Sequence, residues 1–265
     1  MPGTNDKLYF RGIRNLDASL DHLFSKYNLA DVELLIVTGG SAGGLSTFLH
    51  VDHIADRMAA AGSKAVVRGN PVCGYFLDAP NDGSQPMNVT YPLRMQYVYN
   101  MQNSSGSLSP ECQSVYGIDA WKCIMAPHAA KFVKTPWFAF QSRTDTWQLG
   151  NIAMIPCTSD PLKCPTDQWE QIKAYSPTFM DQWYPVMYAP NSKNGAFLDA
   201  CLIHGSTSST IDGLTNSQAF QQWLSGGNKS WWTMLCPGPD GNPTDLTGPC
   251  DRGKTCLPFP NPPSL

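Results

Sequence analysis

The sequence predicts an α/β fold, a mostly parallel sheet with helices on both faces, from three observations. The β-branched apolar run Val32-Glu33-Leu34-Leu35-Ile36-Val37-Thr38 stops at a glycine-rich turn, and an amphipathic helical pattern starts immediately beyond it. Short apolar runs and helical spacings then alternate along the chain, ending in polar loops. With 265 residues and 42 % hydrophobic content, one large domain with a real core is expected.

The elements follow in order. Leu8, Phe10, Ile13, Leu16, Leu20 and Phe24 recur at spacings of three and four, so residues 8 to 28 read as a helix leading into the strand at 32 to 38. Leu45, Phe48, Leu49, His50 and Ile54 mark the next helix. Further strands are expected at Lys64 to Arg68, Gly74 to Leu77, Thr135 to Gln141 and Ala200 to His204, with helical patterns around 168 to 182 and 214 to 224. Residues 79 to 130, with Pro80, Asn81, Asp82, Gly83, Pro86, Cys112 and Cys123, are turn-rich and read as an insertion or cap. Beyond Cys236 the chain turns Pro-, Gly- and Cys-rich through Leu265. The expected organisation is therefore a main domain over 1–235 and a disulfide-held tail over 236–265.

Bulk properties exclude whole classes of function. A net charge of −3 with 15 % charged residues provides no basic stripe to neutralise phosphates, so no nucleic-acid partner is expected. No apolar run reaches the ~18 residues that would cross a bilayer. Nine cysteines, 22 prolines and eight tryptophans among few charges describe an exported, disulfide-stabilised chain. The acceptor patterns at Asn88, Asn103 and Asn228 agree with glycosylation outside the cytosol. Met1 to Lys7 has neither the basic nor the apolar part of a signal peptide, so the expectation of a secreted or cell-wall protein carries with it an incomplete N-terminus. A monomer is expected.

The chemistry centres on Gly39-Gly40-Ser41-Ala42-Gly43-Gly44. A serine between small residues at a strand-to-helix turn is how an α/β-hydrolase presents its nucleophile; in a chain with 22 glycines the pattern alone is weakly specific, and its place between strand and helix gives it weight. A serine hydroxyl needs an imidazole to take its proton, and the imidazole needs a carboxylate to fix its tautomer, in the chain order Ser, acid, His. Of the five histidines, His22 precedes Ser41, and His50 and His53 lie about 13 to 18 Å down the following helix. His128 sits in the turn-rich insertion, ahead of the best acid candidate. His204 closes the apolar run Ala200-Cys201-Leu202-Ile203, where a base belongs. Chain order and strand count favour Asp145 as the acid, with Asp78 as runner-up because it too is expected to cap a strand. An aspartate in that position is more often a helix cap or turn residue. Ala42 N–H, at the start of the helix, is one expected oxyanion donor. Trp147, Trp183 and Tyr184 are read as core rather than as a sugar platform.

These residues carry a resemblance. Lys7-Leu8-Tyr9-Phe10-Arg11-Gly12, Gly40-Ser41-Ala42-Gly43-Gly44, Gly74-Tyr75-Phe76-Leu77-Asp78, Lys134-Thr135-Pro136, Asp145-Thr146-Trp147-Gln148 and the segment from Cys201 to His204 resemble the pectin acetylesterases of plants and microbes and the related animal Notum carboxylesterases, over most of residues 7 to 225. The resemblance implies a secreted, metal-independent serine carboxylesterase with no cofactor and with Ser41, Asp145 and His204 as its triad. Its substrate would be acetylated pectin in one branch and a lipid-acylated signalling protein in the other. Two departures stand out: plant members usually have cysteine where this chain has Gly40, and the family's N-terminal part, with its first strands and a Gly-rich oxyanion loop, is not present before Ser41. Three readings follow: a polysaccharide acetylesterase acting through acyl-Ser41, a lipid-acyl protein deacylase, or a truncated, inactive carbohydrate-binding homologue.

Overall fold

A computed structural model describes residues 9–79, 90–159, 164–187, 189, 192–206, 209–227, 229–234, 236–237 and 243–245. Five strands form one sheet in sequence order: β1 (Leu34–Gly40), β2 (Val66–Val72), β3 (Phe138–Ser142), β4 (Gly195–Asp199) and β5 (Trp231–Thr233). Every pairing is parallel, so each connection must cross over a face, and helices supply the crossovers. α1 (Gly12–Tyr27) precedes β1; the crossovers are α2 (Ala42–Ala60) between β1 and β2, α3 (Tyr91–Gln102), α4 (Pro110–Tyr116) and α5 (Ala126–Ala129) between β2 and β3, α6 (Thr146–Asn151) and α7 (Thr166–Met187) between β3 and β4, and α8 (Asn216–Leu224) between β4 and β5.

The period of two along the strands divides the core into two layers. Trp137, Ala139, Ala196 and Leu198 pack with Phe48 of α2 and with Phe179 and Trp183 of α7. The intervening Phe138 and Phe197 face the other way and pack with Ala219, Phe220 and Trp223 of α8. β4 is buried along its whole length, as a central parallel strand should be, whereas β1 is an edge strand with Leu34 40 % and Ile36 36 % exposed. α1 is fastened to α2 by Asp17, which meets His53 at 2.7 Å and Arg57 at 2.6 Å, and by an Asp21–Arg57 pair.

Several expectations are corrected. Gly74–Leu77 is not a strand, because β2 runs on through Val72 and Cys73 then adopts φ 43°, which breaks the extended path. The strand expected at Ala200–His204 lies five residues earlier, over Gly195–Asp199, and Ala200–His204 is the loop leaving its end. β5 is not expected from the sequence because its paired stretch, Trp231-Trp232-Thr233, is too short to show a strand pattern. The described part of the 79–130 excursion is largely helical: α3 carries Pro92 in its first turn, α4 is capped by Ser109, whose side chain accepts from Cys112 N–H, and Cys112–Cys123 ties α4 to the following turn. Cys157–Cys164 closes a second bridge, and Cys201 is also disulfide-bonded. Of the tail, the described part is a short antiparallel ladder between Cys236–Pro237 and Pro243–Asp245; the rest, and Asn88 and Asn228, lie outside the described residues.

Candidate active site

Loops leaving the carboxyl ends of β1, β2, β3 and β4 meet at one place, the edge of a parallel sheet where such folds assemble their sites. β1 ends at Gly40, and Ser41 turns directly into α2. Ser41 holds φ 56° and ψ −120°, a strained conformation for a residue with a side chain. Its flanking glycines make the turn possible. A Cβ on Gly39 would lie 2.6 Å from the Gly43 backbone, and one on Gly44 would lie 2.5 Å from the Val72 carbonyl oxygen. Ser41 N–H donates to Val72 O at 2.9 Å and to Cys73 Sγ at 3.3 Å, so the end of β2 holds the turn in place. Burial pushes the Cys73 thiol up to about 11, which keeps it a neutral acceptor rather than a competing nucleophile.

The imidazole comes from the loop after β4. His204 donates from Nδ1 to Asp145 Oδ2 at 2.8 Å and accepts the Ser41 hydroxyl at Nε2, also at 2.8 Å; the proton sits on Nδ1 because the carboxylate can only accept. Asp145 itself follows β3 and caps α6, accepting from Gln148 N–H at 3.0 Å. The two loops are stitched together: Ser142 Oγ donates to Cys201 O at 2.6 Å, and Thr146 N–H to Ile203 O at 3.3 Å. Asp199, at the end of β4, accepts from Cys201 N–H at 2.9 Å and fixes the start of the turn that delivers His204.

The electrostatics suit a base. Burial pushes the Asp145 carboxyl up from its ordinary value, while N–H groups of His204, Gln148 and Trp147 pull it back by solvating the carboxylate. The hydrogen bond and charge of Asp145 in turn lift His204 above its ordinary 6.5, against the cost of desolvating an imidazolium. Burial also lifts the buried Asp199 to about 7, with hydrogen bonding by Cys201 N–H and the Ser142 side chain, and then the Arg143 charge, opposing the shift.

Of the other expected residues, Ala42 is the first residue of α2, where a helix N–H has no intrahelical acceptor. Asp78 is not in this cluster: its Oδ2 accepts from His128 Nε2 at 2.7 Å, and His128 Nδ1 meets Tyr116 Oη at 2.7 Å. His53 is spent on Asp17. Asn103 is exposed at the end of α3. Trp183 is buried in the core as expected; Trp147 is half-buried, packing on the Phe76–Tyr91 cluster and at the same time standing beside His204, ring centroids 6.1 Å apart.

Sequence reasoning also passed over Phe76 and Gln148. Gln148 accepts from Leu77 N–H at 3.1 Å and donates to Tyr75 O at 3.1 Å, while Gln141 and Gln182 accept from Tyr75 N–H and Asp78 N–H, both at 3.0 Å. Glutamine side chains thus stand in for the missing ladder along residues 75–78 and aim Phe76 at His204, centroids 6.2 Å apart. The signal was present in Asp145-Thr146-Trp147-Gln148, whose aspartate, tryptophan and glutamine each act on this site.

A serine in a strained strand-to-helix turn, joined through histidine to a buried aspartate at the carboxyl edge of a parallel sheet, defines the α/β-hydrolase class of fold and site. Comparison sharpens this. A family model for pectinacetylesterase matches residues 1–244, and the chain belongs to that family. It is 29 % identical over 215 residues to pectin acetylesterase 5 of Arabidopsis thaliana, covering 76 % of this chain and 47 % of that protein. It is also 29 % identical over 148 residues to the palmitoleoyl-protein carboxylesterase NOTUM of Schmidtea mediterranea, covering 54 % and 28 %. The solved structure of the Wnt deacylase Notum from Drosophila shares the fold, with a TM-score of 0.69 at 23 % identity over 87 % of this chain and 66 % of that one. The chain spans about half the length of the plant relatives it matches.

Proposed function

We propose that the chain is a serine carboxylester hydrolase that removes acetyl groups from a polysaccharide such as pectin, with Ser41 as nucleophile, His204 as general base and acid, and Asp145 orienting the imidazole. The continuous hydrogen-bonded chain from Ser41 Oγ through both nitrogens of His204 to the buried Asp145 carries the reading. His204 Nε2 takes the hydroxyl proton as Oγ attacks the ester carbonyl carbon. The resulting oxyanion receives Ala42 N–H at the start of α2, where the helix dipole adds to the stabilisation. The imidazolium then returns the proton to the departing sugar oxygen, leaving acetyl-Ser41. Water repeats the sequence in reverse to release acetate.

Family membership and the plant relatives support pectin as the polymer, and a secreted or cell-wall location with a glycan on exposed Asn103 accompanies that reading. Among the described residues no helix is long and apolar enough to cross a membrane. The similarity to palmitoleoyl-protein carboxylesterases favours a second reading, removal of a long acyl chain from a protein. The test is hydrolysis of p-nitrophenyl acetate and acetate release from acetylated pectin. Ser41→Ala is expected to abolish both, and unchanged turnover in that variant overturns the proposal.

A further inference from the structure

Phe76 and Trp147 stand on one flank of the His204 imidazole, their ring centroids 6.2 and 6.1 Å from it and their planes tilted by 33° and 34°. They pack against each other at 4.9 Å, edge to face, and Tyr91 of α3 closes the group from behind, 6.0 Å from Trp147 and 6.4 Å from Phe76. Phe76 and Tyr91 are buried and Trp147 is half-buried, so the tryptophan is the member that still meets solvent beside the imidazole.

The group is held rigidly from both sides. Phe76 rides on the segment clamped by the side chains of Gln141, Gln148 and Gln182. Trp147 lies in the first turn of α6, which Asp145 caps. This edge-to-face pair resists opening to admit a chain, because moving either ring breaks aromatic contacts and moving Phe76 also disturbs the buried hydrogen bonds of its segment. Two grooves of about 720 and 740 Å³ are lined by residues of α1, α2 and the 102–111 stretch, the first also by Phe132 to Thr135, and include neither Ser41 nor His204, so neither of these two is an acyl tunnel for this serine.

We propose that Phe76 and Trp147 form the specificity-determining wall of this esterase, closing the space beside the catalytic imidazole so that Ser41 accepts a short acyl group such as acetyl and rejects medium and long chains. This rests on the esterase reading above and deepens it by choosing between the two acyl classes. Trp147 sets the length limit, being the outer ring, and Phe76 supports it. A hydrophobic pocket discriminates by size in steps of about 10- to 200-fold per methylene-sized change, so removing an indole has a large readout.

The experiment measures kcat/KM of the 265-residue chain on p-nitrophenyl acetate and p-nitrophenyl octanoate. Wild type is expected to prefer acetate, and Trp147→Ala is expected to raise the octanoate-to-acetate ratio by roughly tenfold or more while acetate hydrolysis persists. Trp147→Leu keeps apolar contact with Phe76 and Tyr91 and is expected to move the ratio in the same direction, which provides the readout if the alanine variant does not fold. Serine-dependent acetate hydrolysis with an unchanged ratio in a folded variant overturns the wall and leaves the esterase reading standing. A wild-type preference for octanoate also overturns the wall. Absence of any Ser41-dependent hydrolysis in wild type overturns both.

Discussion

Asp145–His204 and Asp78–His128 are carboxylate–imidazole pairs of nearly equal length, 2.8 and 2.7 Å, and in each the second ring nitrogen meets a hydroxyl. They differ in which nitrogen faces what and in the hydroxyl itself. His204 turns Nδ1 to its carboxylate and Nε2 to Ser41; His128 turns Nε2 to its carboxylate and Nδ1 to Tyr116. The Ser41 hydroxyl stands in a strained turn at the start of a 19-residue helix, whereas the Tyr116 phenol ends a seven-residue one, and burial with the nearby Asp78 charge pushes it above its ordinary value. Asp145 has no exposed side-chain surface, while Asp78 retains 23 %. The geometry of an Asp–His pair therefore does not by itself make a catalytic base. The third group decides, and at Tyr116 the pair serves to fasten α4 and α5 to the segment that carries Phe76.

The most direct way to break that contrast is to neutralise each carboxylate in turn. Asp145→Asn should lower kcat/KM on p-nitrophenyl acetate by about 10³- to 10⁴-fold, because the amide no longer holds the proton on Nδ1 and no longer supports the imidazolium. Asp78→Asn should stay within about threefold, since its partner does not reach the reacting atoms. Equal losses in the two variants would erase the distinction.

Much of this was legible in the sequence, and for identifiable reasons. Ser41 was readable because the elbow needs a residue without a side chain at Gly39 and at Gly44, and those requirements are local. Asp145 and His204 were readable from chain order, which a parallel sheet converts into position along one edge. Asp78 and His128 are each legible as candidates but not as partners, because they lie 50 residues apart and meet through a crossover that no periodicity encodes. The turn-rich appearance of the 79–130 excursion hid α3 for a similar reason: its apolar residues pack inward against Phe76 and Trp147 within a local cluster rather than forming a regular stripe against the sheet. Gln148 stands in the legible Asp145–Gln148 segment, but its pairing with Tyr75 and Leu77, and with it the placing of Phe76, is not legible, because a glutamine that pairs with a backbone segment leaves no mark except its own identity.

Stability and pH sharpen the contrast at a smaller scale. His128→Leu leaves the Asp78 carboxylate and the Tyr116 hydroxyl without their shared partner, so unfolding in urea should show a loss of about 1–3 kcal/mol. The activity profile should not move with it. The base must be neutral to accept the Ser41 proton, and Asp145 holds His204 above 6.5, so the acidic limb of kcat/KM should lie above that value in wild type and stay there in His128→Leu. A limb displaced by the His128 substitution would make the second pair part of the catalytic titration.

The gentlest test concerns what distinguishes the Ser41 end of the first pair from the Tyr116 end of the second, namely the elbow. Gly39 and Gly40 are adjacent, yet only Gly39 faces the Gly43 backbone, and a Cβ on Gly40 would meet no atom within 4 Å. Gly39→Ala should cost about 1–3 kcal/mol in the unfolding free energy and reduce turnover, because Ser41 must shift for the methyl to fit. Gly40→Ala should be neutral or stabilising by up to about 1 kcal/mol, since Gly40 is not among the positive-φ glycines and alanine restricts the unfolded chain. Turnover should remain close to wild type. A loss of activity at Gly40 comparable to that at Gly39 would mean that the strain at Ser41 is supported from the exposed side of β1 as well as from Gly43, and the elbow would then need a different account from the one its glycines give.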